Sequence, residues 1–600
     1  MITLESSLIC TCVRAPLRAR RAWPAALLLL HALGASAVDA EWPMASGDYG
    51  NTRYSTLADI DTSNVGTLAD AFAFDTGVER GQEAAPIVVG GTLYLLTAWP
   101  NVLYALDLTR PGAAVKWKFE PHPAPRAQGE ACCDVVTRGI AYADGTVFMV
   151  TLDGQAIAVD AATGAERWRT PLADVARGET VTMAPLVVKD RMLVGNSGGE
   201  MGVRGWLTAL DTHTGAVAWR AYSTGPDRDV LIDHSRYAPF YPTDRGTDLG
   251  VATWPPEAWK RGGGGAWGFV SYDPALDLLY YGTANPGPWN PEQRAGDNKW
   301  TSGVFARRPG DGTAAWFYQW SPHDRHDYDG INEMMLLDLD WRGARRQVLV
   351  HPDRNGYVYV LDRKNGEVLA ADPFVTVNTS TGVDLKTGRL QYDPGKDPRA
   401  GLTIRNVCPA APGAKDWQPS AYSPRTGLLY LPHQHLCHDA QTYTTSYIAG
   451  TPFLGVTAQM NGMAGTSRGA FTAWDPLARH ARWTLPEVFP VWSGALATAG
   501  DLVFYGTLDG WFKAVDARSG KPLWQQQTGS GIIGQPMAYR GPDGREYVAI
   551  MSGVGGWAGA VSSGRLDRRD GTAALGFVGA MKDLPMPEVK TGVLHVYALP

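Results

Sequence analysis

Alternating apolar and polar residues, a pattern typical of β-strands, recur along the chain about every fifty residues. The segment "GTVFMVTLDGQAIAVD", residues 145–160, alternates in this way and is followed by "AATGAERW". Its Thr-Gly pair predicts a tight turn, and the next strand carries a large flat side chain, Trp168. The same ending recurs in "ALDTHTGAVAW" and "AVDARSGKPLW", which finish at Trp219 and Trp524.

Weaker copies of the repeat end at Trp117, Trp316, Ala370 and Trp483, and the first two intervals between tryptophans are both 51 residues. One four-stranded sheet per repeat, arranged radially, predicts an all-β fold, an eight-bladed β-propeller. The two long intervals, from Trp219 to Trp316 and from Ala370 to Trp483, are each expected to hold roughly two blades with their loops.

Composition supports a large folded core. The chain has 69 glycines and 22 tryptophans, and only 19% of its residues are charged, which excludes a disordered or coiled-coil protein. A net charge of −6 argues against non-specific nucleic-acid binding, which requires a basic surface.

The first residues are typical of an export signal. A basic stretch precedes the apolar run "WPAALLLLHALG" and the small residues "ASA" at 35–37. We therefore predict a signal peptide over residues 1–37, one domain over residues 38–600 and a periplasmic location. The apolar run is too short to span a membrane, although a fragment of an anchor is the alternative. Removing the leader takes four arginines and one glutamate with it, changing the charge from −6 to −9 and favouring a cationic partner.

Four cysteines follow the leader: the adjacent pair Cys132 and Cys133, and the distant residues Cys408 and Cys437. An exported protein favours two disulfides. Adjacent cysteines can bond to each other only through a strained eight-membered ring, and two unrelated thiols are the alternative.

The acidic stretch "HDRHDYDG", residues 323–330, separates Asp327 from Asp329 by a single tyrosine. On a strand, residues two apart face the same way, so both carboxylates would converge on one cation. A solvated acidic turn is the alternative interpretation.

The repeats resemble the tryptophan-docking motifs of the pyrroloquinoline quinone (PQQ) alcohol dehydrogenases, and also those of non-catalytic propellers of bacterial outer-membrane assembly. Five stretches resemble the PQQ methanol dehydrogenase family more specifically: "ACCDVVTRG", "GNSGGEMGVRGW", "GGGGAWGF", "YYGTANPGPWN" and "HDRHDYDG". The resemblance covers nearly all of the chain after the leader.

PQQ is a flat tricarboxylate, and the resemblance implies that it lies between a Cys132–Cys133 disulfide and the ring of Trp267. Gly265 departs from the family, which often has threonine there. A second, structural disulfide would join Cys408 and Cys437. The other implied cofactor contacts are Glu83, Arg138, Thr182, Ser197, Gly198, Gly199, Arg354, Asp416, Trp492 and Trp557.

The resemblance also implies a metal site. Its ligands would be Glu200, Asn285, Asp327 and Asp329. At the position of Asp329, calcium-dependent members of the family usually have alanine and lanthanide-dependent members have aspartate. Asp416 likewise resembles the lanthanide group. We therefore expect a lanthanide ion, with Ca²⁺ as the alternative. His323, Asp324 and His326 are expected to support the site.

The implied reaction is oxidation of methanol or another small primary alcohol to the aldehyde. Asp327 would take the alcohol proton, Arg354 would stabilise negative charge on the quinone oxygens, and the metal would act as a Lewis acid. Trp289 resembles a residue that crowds the substrate pocket.

The sequence lacks Cys-x-x-Cys-His, so electrons should leave to a separate, soluble cytochrome c. Two alternatives stay open, a PQQ dehydrogenase of ethanol or longer alcohols and a non-catalytic scaffold propeller. A homodimer is also left open.

Overall fold

The computed structural model describes residues 41–600, and within them eight sheets of four antiparallel strands contain most of the strands. Sheet 1 consists of Ile87–Val89, Thr92–Leu96, Leu103–Asp107 and Ala114–Phe119. Sheet 2 consists of Ala141–Ala143, Thr146–Val150, Gln155–Asp160 and Glu166–Pro171. Sheet 3 consists of Leu186–Val188, Arg191–Gly195, Trp206–Asp211 and Val217–Tyr222. Sheet 4 consists of Ser271–Asp273, Leu278–Thr283, Gly303–Arg307 and Ala314–Gln319.

The remaining sheets follow the same order. Sheet 5 consists of Met335–Trp341, Ala344–Pro352, Tyr357–Asp362 and Glu367–Pro373. Sheet 6 consists of Ala421–Ser423, Leu428–Gln434, Gly469–Asp475 and His480–Glu487. Sheet 7 consists of Ala495–Thr498, Leu502–Gly506, Trp511–Asp516 and Pro522–Gln527, with Tyr54–Ser55 added in parallel. Sheet 8 consists of Met537–Arg540, Glu546–Ser552, Val593–Ala598 and the early strand Ala69–Asp75.

Smaller elements lie outside the eight sheets. The further strands are the hairpin Ser380–Asp384 and Arg389–Tyr392, and the three-stranded sheet Thr403–Val407, Leu436–Thr442 and Val456–Gly462. The α-helices are Ala127–Glu130, Asp227–Val230, Leu249–Ala252, Gly556–Ser563 and Phe577–Met581. The 3₁₀ turns are Val65–Thr67, Val175–Arg177, Gly199–Met201, Pro242–Asp244, Ala258–Arg261, Pro291–Gln293, Pro394–Lys396 and Ala574–Gly576.

The repeated tryptophans join successive sheets. Trp117 on the last strand of sheet 1 donates its indole N–H to Ala161 O in the turn of sheet 2, at 3.1 Å. Trp168 repeats this contact from sheet 2 to Thr212 O of sheet 3, at 2.9 Å. A Cβ on Gly164, in the same turn as Ala161, would lie 2.7 Å from the ring of Trp117, so only glycine fits there. Equivalent indole bonds are made by Trp219, Trp316, Trp483 and Trp524.

The apolar core lies between neighbouring sheets. Leu103 of sheet 1 and Ile157 of sheet 2 belong to one buried cluster. Another cluster joins Leu93 of sheet 1 to Ile550 of sheet 8. The first and last sheets therefore pack together, and the early strand Ala69–Asp75 completes sheet 8 by pairing with the last strand of the chain.

One expectation about the repeats is wrong. The intervals from Trp219 to Trp316 and from Ala370 to Trp483 each hold one four-stranded sheet, whereas about two were expected. The extra length forms insertions. They include the helices after Tyr222 and the three-stranded sheet, two of whose strands lie between the second and third strands of sheet 6. The eighth sheet instead comes from the two ends of the described chain, a pairing that no local repeat encodes.

No helix among residues 41–600 is long and apolar enough to cross a membrane. The predicted leader, residues 1–37, lies outside the described residues and stays a prediction.

Candidate active site

A cavity with about 560 Å³ of empty space brings together residues from most parts of the chain. The predicted residues that line it are Glu83, Cys132, Cys133, Arg138, Thr182, Ser197, Glu200, Trp267, Trp289, Asp327, Asp329, Arg354, Asp416, Trp492 and Trp557.

The two aspartates reach the cavity from a loop, and the predicted strand is absent there. Asp327 has a left-handed backbone with φ of 69°, and residues 324–333 contain no strand. Tyr328 points away, and its hydroxyl donates to Pro409 O at 2.7 Å. Asp327 and Asp329 therefore face the cavity while Tyr328 faces away, as predicted. A turn, however, and not a strand, produces this alternation. The carboxylate of Asp324 stabilises this turn by accepting the backbone N–H groups of Asp327 and Tyr328 at 2.9 and 3.1 Å.

Arg354 lies among three carboxylates. One of its terminal nitrogens, Nη2, is 2.6 Å from Asp416 Oδ1 and 3.2 Å from Asp329 Oδ2. The other, Nη1, donates to Asp327 O at 3.1 Å and lies 3.5 Å from Asp327 Oδ2. All four side chains are almost fully buried, so the guanidinium is the nearby cation that offsets their charge.

One arginine does not neutralise this group of acids. Burial, followed by repulsion from Asp329, raises the pKa of Asp327 well above its usual value. Burial also raises the pKa of Asp329 to about 7 and raises the pKa of Glu200. A further positive charge close to these carboxyl groups would stabilise their ionised forms.

Arg138 forms the second polar group of the cavity. Its guanidinium lies 3.0 Å from Glu83 Oε2 and donates to Thr182 Oγ1 at 2.8 Å. Thr182 Oγ1 is in turn 3.0 Å from Ser197 Oγ. Burial outweighs the attraction of Arg138 and raises the pKa of Glu83 to about 8.

Aromatic rings form much of the wall. The guanidinium of Arg138 lies 4.7 Å from the ring centre of Trp267 and 4.8 Å from that of Trp417. Trp557 is held by its indole N–H, which donates to Ala574 O at 2.7 Å. Sequence reasoning missed three lining residues, Val136, Trp417 and Leu575. Trp417 directly follows Asp416 in "AKDW", so that motif was the available signal.

Three predicted contacts do not line the cavity. Gly198 has φ of 112°, and a Cβ there would lie 2.3 Å from Gly178 O, so packing within the protein requires this glycine. Gly199 also lies outside the lining. Asn285 acts through its backbone N–H, which donates to Asp329 Oδ1 at 2.5 Å and fixes that carboxylate.

The two predicted disulfides differ in outcome. Cys408 and Cys437 are bonded. Cys132 and Cys133 line the cavity as free thiols with their sulfur atoms 2.6 Å apart, beyond the bonded distance of about 2.05 Å. The two sulfur atoms are in direct contact, and the predicted bond between them stays a prediction. Closing it requires the strained eight-membered ring, and Cys133 already has a left-handed φ of 64°.

The lining suits a flat, anionic cofactor. Two arginines and several indoles surround it, and Arg138 Nε, Arg354 Nε and Trp492 Nε1 are buried without a partner among residues 41–600. Asp327 Oδ1 is likewise unpartnered within this range. The carboxylates supply the oxygen donors that hard cations prefer. Within residues 41–600, however, no three His, Cys, Asp or Glu side chains already converge as a metal cage.

A comparison with known protein families identifies the family to which this chain belongs. The family model described as "PQQ: Glucose/ethanol/alcohol dehydrogenase, beta-propeller domain" matches residues 42–387 and 469–548. The chain belongs to the PQQ-dependent alcohol dehydrogenase family. The fold is accordingly an all-β propeller domain, and the resemblance inferred from the five sequence stretches is confirmed.

Individual relatives agree with this assignment. The chain is 51% identical to the lanthanide-dependent methanol dehydrogenase of Methylacidiphilum fumariolicum, over 93% of this chain and 92% of that protein. It is 44% identical to methanol dehydrogenase [cytochrome c] subunit 1 of Paracoccus denitrificans, over 93% and 90% of the two chains. A solved europium-containing methanol dehydrogenase superposes with a TM-score of 0.92 at 50% identity, covering 94% of this chain and 98% of that one. The chain is therefore an enzyme of this family, and the scaffold alternative is set aside.

Proposed function

We propose that this protein oxidises methanol or another small primary alcohol to the aldehyde, using PQQ and a lanthanide ion. One observation carries the proposal: Asp329 joins Asp327 and Glu200 in the lining of one cavity, which gives three carboxylates there, and Asp329 lies 3.2 Å from Arg354. The names of its relatives, a lanthanide-dependent and a europium-containing methanol dehydrogenase, agree with that metal.

Each polar residue has a distinct role in this proposal. Asp327 is the base that takes the proton of the alcohol hydroxyl, and its unpartnered Oδ1 is the candidate acceptor. Arg354 donates hydrogen bonds to negative charge that develops on the quinone edge. Trp267 and the Cys132–Cys133 pair bound the space for the flat ring. PQQ, when bound, accepts the electrons of the alcohol.

Glu200, Asp327, Asp329 and Asn285 would hold the metal. When bound, the metal would supply Lewis acidity, and its positive charge would favour the ionised form of Asp327, which is the form that can act as a base. Arg354 pairs with Asp327 and Asp329, so a bound metal ion would compete with the guanidinium for these two carboxylates. Ca²⁺ is the alternative ion, with a lower charge to offset the same carboxylates.

Several further features belong to the same proposal. Trp289 and Leu575 leave limited room in the cavity, which favours a short alcohol over ethanol or longer substrates. Electrons would pass to a separate, soluble cytochrome c, and the name of the Paracoccus relative contains cytochrome c for that protein. We also propose a periplasmic location after removal of residues 1–37, and an eight-bladed propeller joined by its tryptophans. A homodimer stays an untested prediction.

The proposed metal preference can be tested directly. Purified enzyme reconstituted with PQQ and one metal at a time should oxidise methanol faster with a light lanthanide than with Ca²⁺, because three carboxylates in one cavity favour a trivalent ion. The assay follows an artificial electron acceptor across a panel of alcohols. Equal or higher activity with Ca²⁺ would contradict the lanthanide proposal, and preference for long alcohols would contradict the substrate.

The pKa of Glu83 predicts a pH dependence of cofactor binding. Below about pH 8 the buried carboxyl is neutral, and above it the ionised form repels the carboxylates of PQQ. PQQ affinity, measured by quenching of tryptophan fluorescence, should therefore fall as pH rises through about 8. Glu83→Gln should remove this dependence.

A matched control for Glu83 exists elsewhere in the fold. Glu546 is also buried with its pKa raised to about 7, but it binds the backbone N–H of Asp59 and lies outside the cavity lining. Glu546→Gln should leave the pH profile of PQQ binding unchanged. A profile that stays the same in Glu83→Gln would exclude Glu83 as the titrating group.

A further inference from the structure

A buried ion pair lies behind the cavity without lining it. Lys415 Nζ is 2.6 Å from Glu333 Oε2, and neither side chain is exposed. Lys415 Nζ also donates to Asp416 O at 3.1 Å. The second carboxylate oxygen of Glu333 accepts the backbone N–H of Ser420 at 3.0 Å. Both charged groups are therefore held at fixed positions by several contacts.

The ion pair connects two segments of the chain, one with Asp329 and one with Asp416, which are both partners of Arg354. Glu333 lies four residues after Asp329, at the end of the acidic loop, and Lys415 directly precedes Asp416. The neighbouring Asn332 extends the connection to a third segment. Its Nδ2 donates to Pro352 O at 2.7 Å and to Lys415 O at 3.2 Å, and Pro352 lies two residues before Arg354.

An apolar pair of similar shape would fill this space with comparable stability, since burying two charges costs about as much as their attraction returns. Apolar side chains, however, have no directional contacts and leave the relative positions of the segments less strictly defined. The ion pair and the amide contacts of Asn332 specify one arrangement of the three segments.

We propose that Glu333, Lys415 and Asn332 are positioning residues that set the spacing of Asp329, Arg354 and Asp416 for cofactor binding. None of the three lines the cavity, so each acts through the loop that it holds. This inference deepens the proposed function and rests on it for the identity of the cofactor.

The test compares the double variant Lys415→Met with Glu333→Gln, which removes both charges and nearly conserves shape, with the wild type. We measure PQQ affinity by tryptophan-fluorescence quenching, kcat and KM of the loaded enzyme, and Tm. PQQ affinity and kcat should each fall by about 10- to 100-fold, as for groups that orient cofactor ligands, with a small change in Tm. Wild-type PQQ affinity and kcat would overturn the proposal.

The buried pair Lys299 and Asp244 provides a matched control. Each of its side chains is 3% exposed, and neither residue lines the cavity. The double variant Lys299→Met with Asp244→Asn should shift Tm by a comparable amount and leave PQQ affinity and kcat unchanged. Equal losses in this control would assign the effect to stability and overturn the positioning role.

Conservative variants keep the test decisive if the double variant does not fold. Lys415→Arg and Glu333→Asp retain both charges but change their reach, so PQQ affinity should weaken in each. A folded variant of either kind with wild-type affinity would overturn the proposal. PQQ affinity is measured on metal-free protein, so this part of the test does not depend on the metal preference. If the wild type failed to prefer lanthanides, only the proposed function would be contradicted.

Discussion

We expect Asp327→Asn to lower kcat for methanol by about 10²- to 10⁴-fold, the usual contribution of a positioned general base. An amide has nearly the same shape as the carboxylate but cannot accept the alcohol proton. Asp327 also shares the buried acidic group with Asp329, so the variant relieves repulsion in the metal-free protein. Its Tm without metal should therefore stay equal or rise while activity is lost.

Two measurements separate loss of the base from loss of the metal. Metal content, determined by mass spectrometry, identifies preparations of Asp327→Asn with full occupancy, and kcat is compared only for those. Asp273 is the control, because it is also buried, pairs with Arg363 at 2.6 Å and lies away from the cavity. Asp273→Asn should lower Tm and leave kcat unchanged. A fully loaded Asp327→Asn enzyme with wild-type kcat would exclude Asp327 as the base.

The fold could be predicted for those repeats whose strands and turns all lie close together in the sequence. Trp168 and its Thr-Gly turn are adjacent in sequence, so their strands and turns could be inferred locally. The long intervals were misjudged because insertions and blades have similar strand patterns. Sheet 8 depends on the pairing of Ala69–Asp75 with Val593–Ala598, and alternation alone does not specify a partner so distant in the chain.

The candidate site was predictable mainly through the family resemblance. Asp327 and Asp329 were expected to converge and do so, but a left-handed turn replaces the expected strand, because Asp324 organises the backbone of the loop. The sequence could not reveal the contact of Lys415 with Glu333, since 82 residues separate them. Leu575 was missed for a different reason. Its φ of 53° is left-handed, an unusual backbone conformation for a residue other than glycine, and the sequence does not signal it.

The second large effect is expected at Asp329. Replacing Asp329 with alanine should lower lanthanide affinity by about 10- to 100-fold or more and abolish the preference for lanthanides over Ca²⁺. The reason is charge: three carboxylates in the cavity become two, a set that no longer favours a trivalent ion over a divalent one. Metal titration of the PQQ-loaded protein, with activity measured for each metal, gives both quantities.

Alanine also removes the acceptor of the Asn285 backbone N–H, and an unpaired buried donor costs about 1–3 kcal/mol of stability. Asp329→Asn separates this cost from the charge effect, because its amide oxygen can still accept that N–H while the negative charge is absent. Asp273→Asn is the second control, since it removes a buried carboxylate that pairs with Arg363 and lies away from the cavity. Loss of the lanthanide preference in Asp329→Asn, together with its retention in Asp273→Asn, would identify the charge of Asp329 as the determinant. An Asp329→Ala enzyme that still prefers lanthanides would show that Asp329 does not bind the ion.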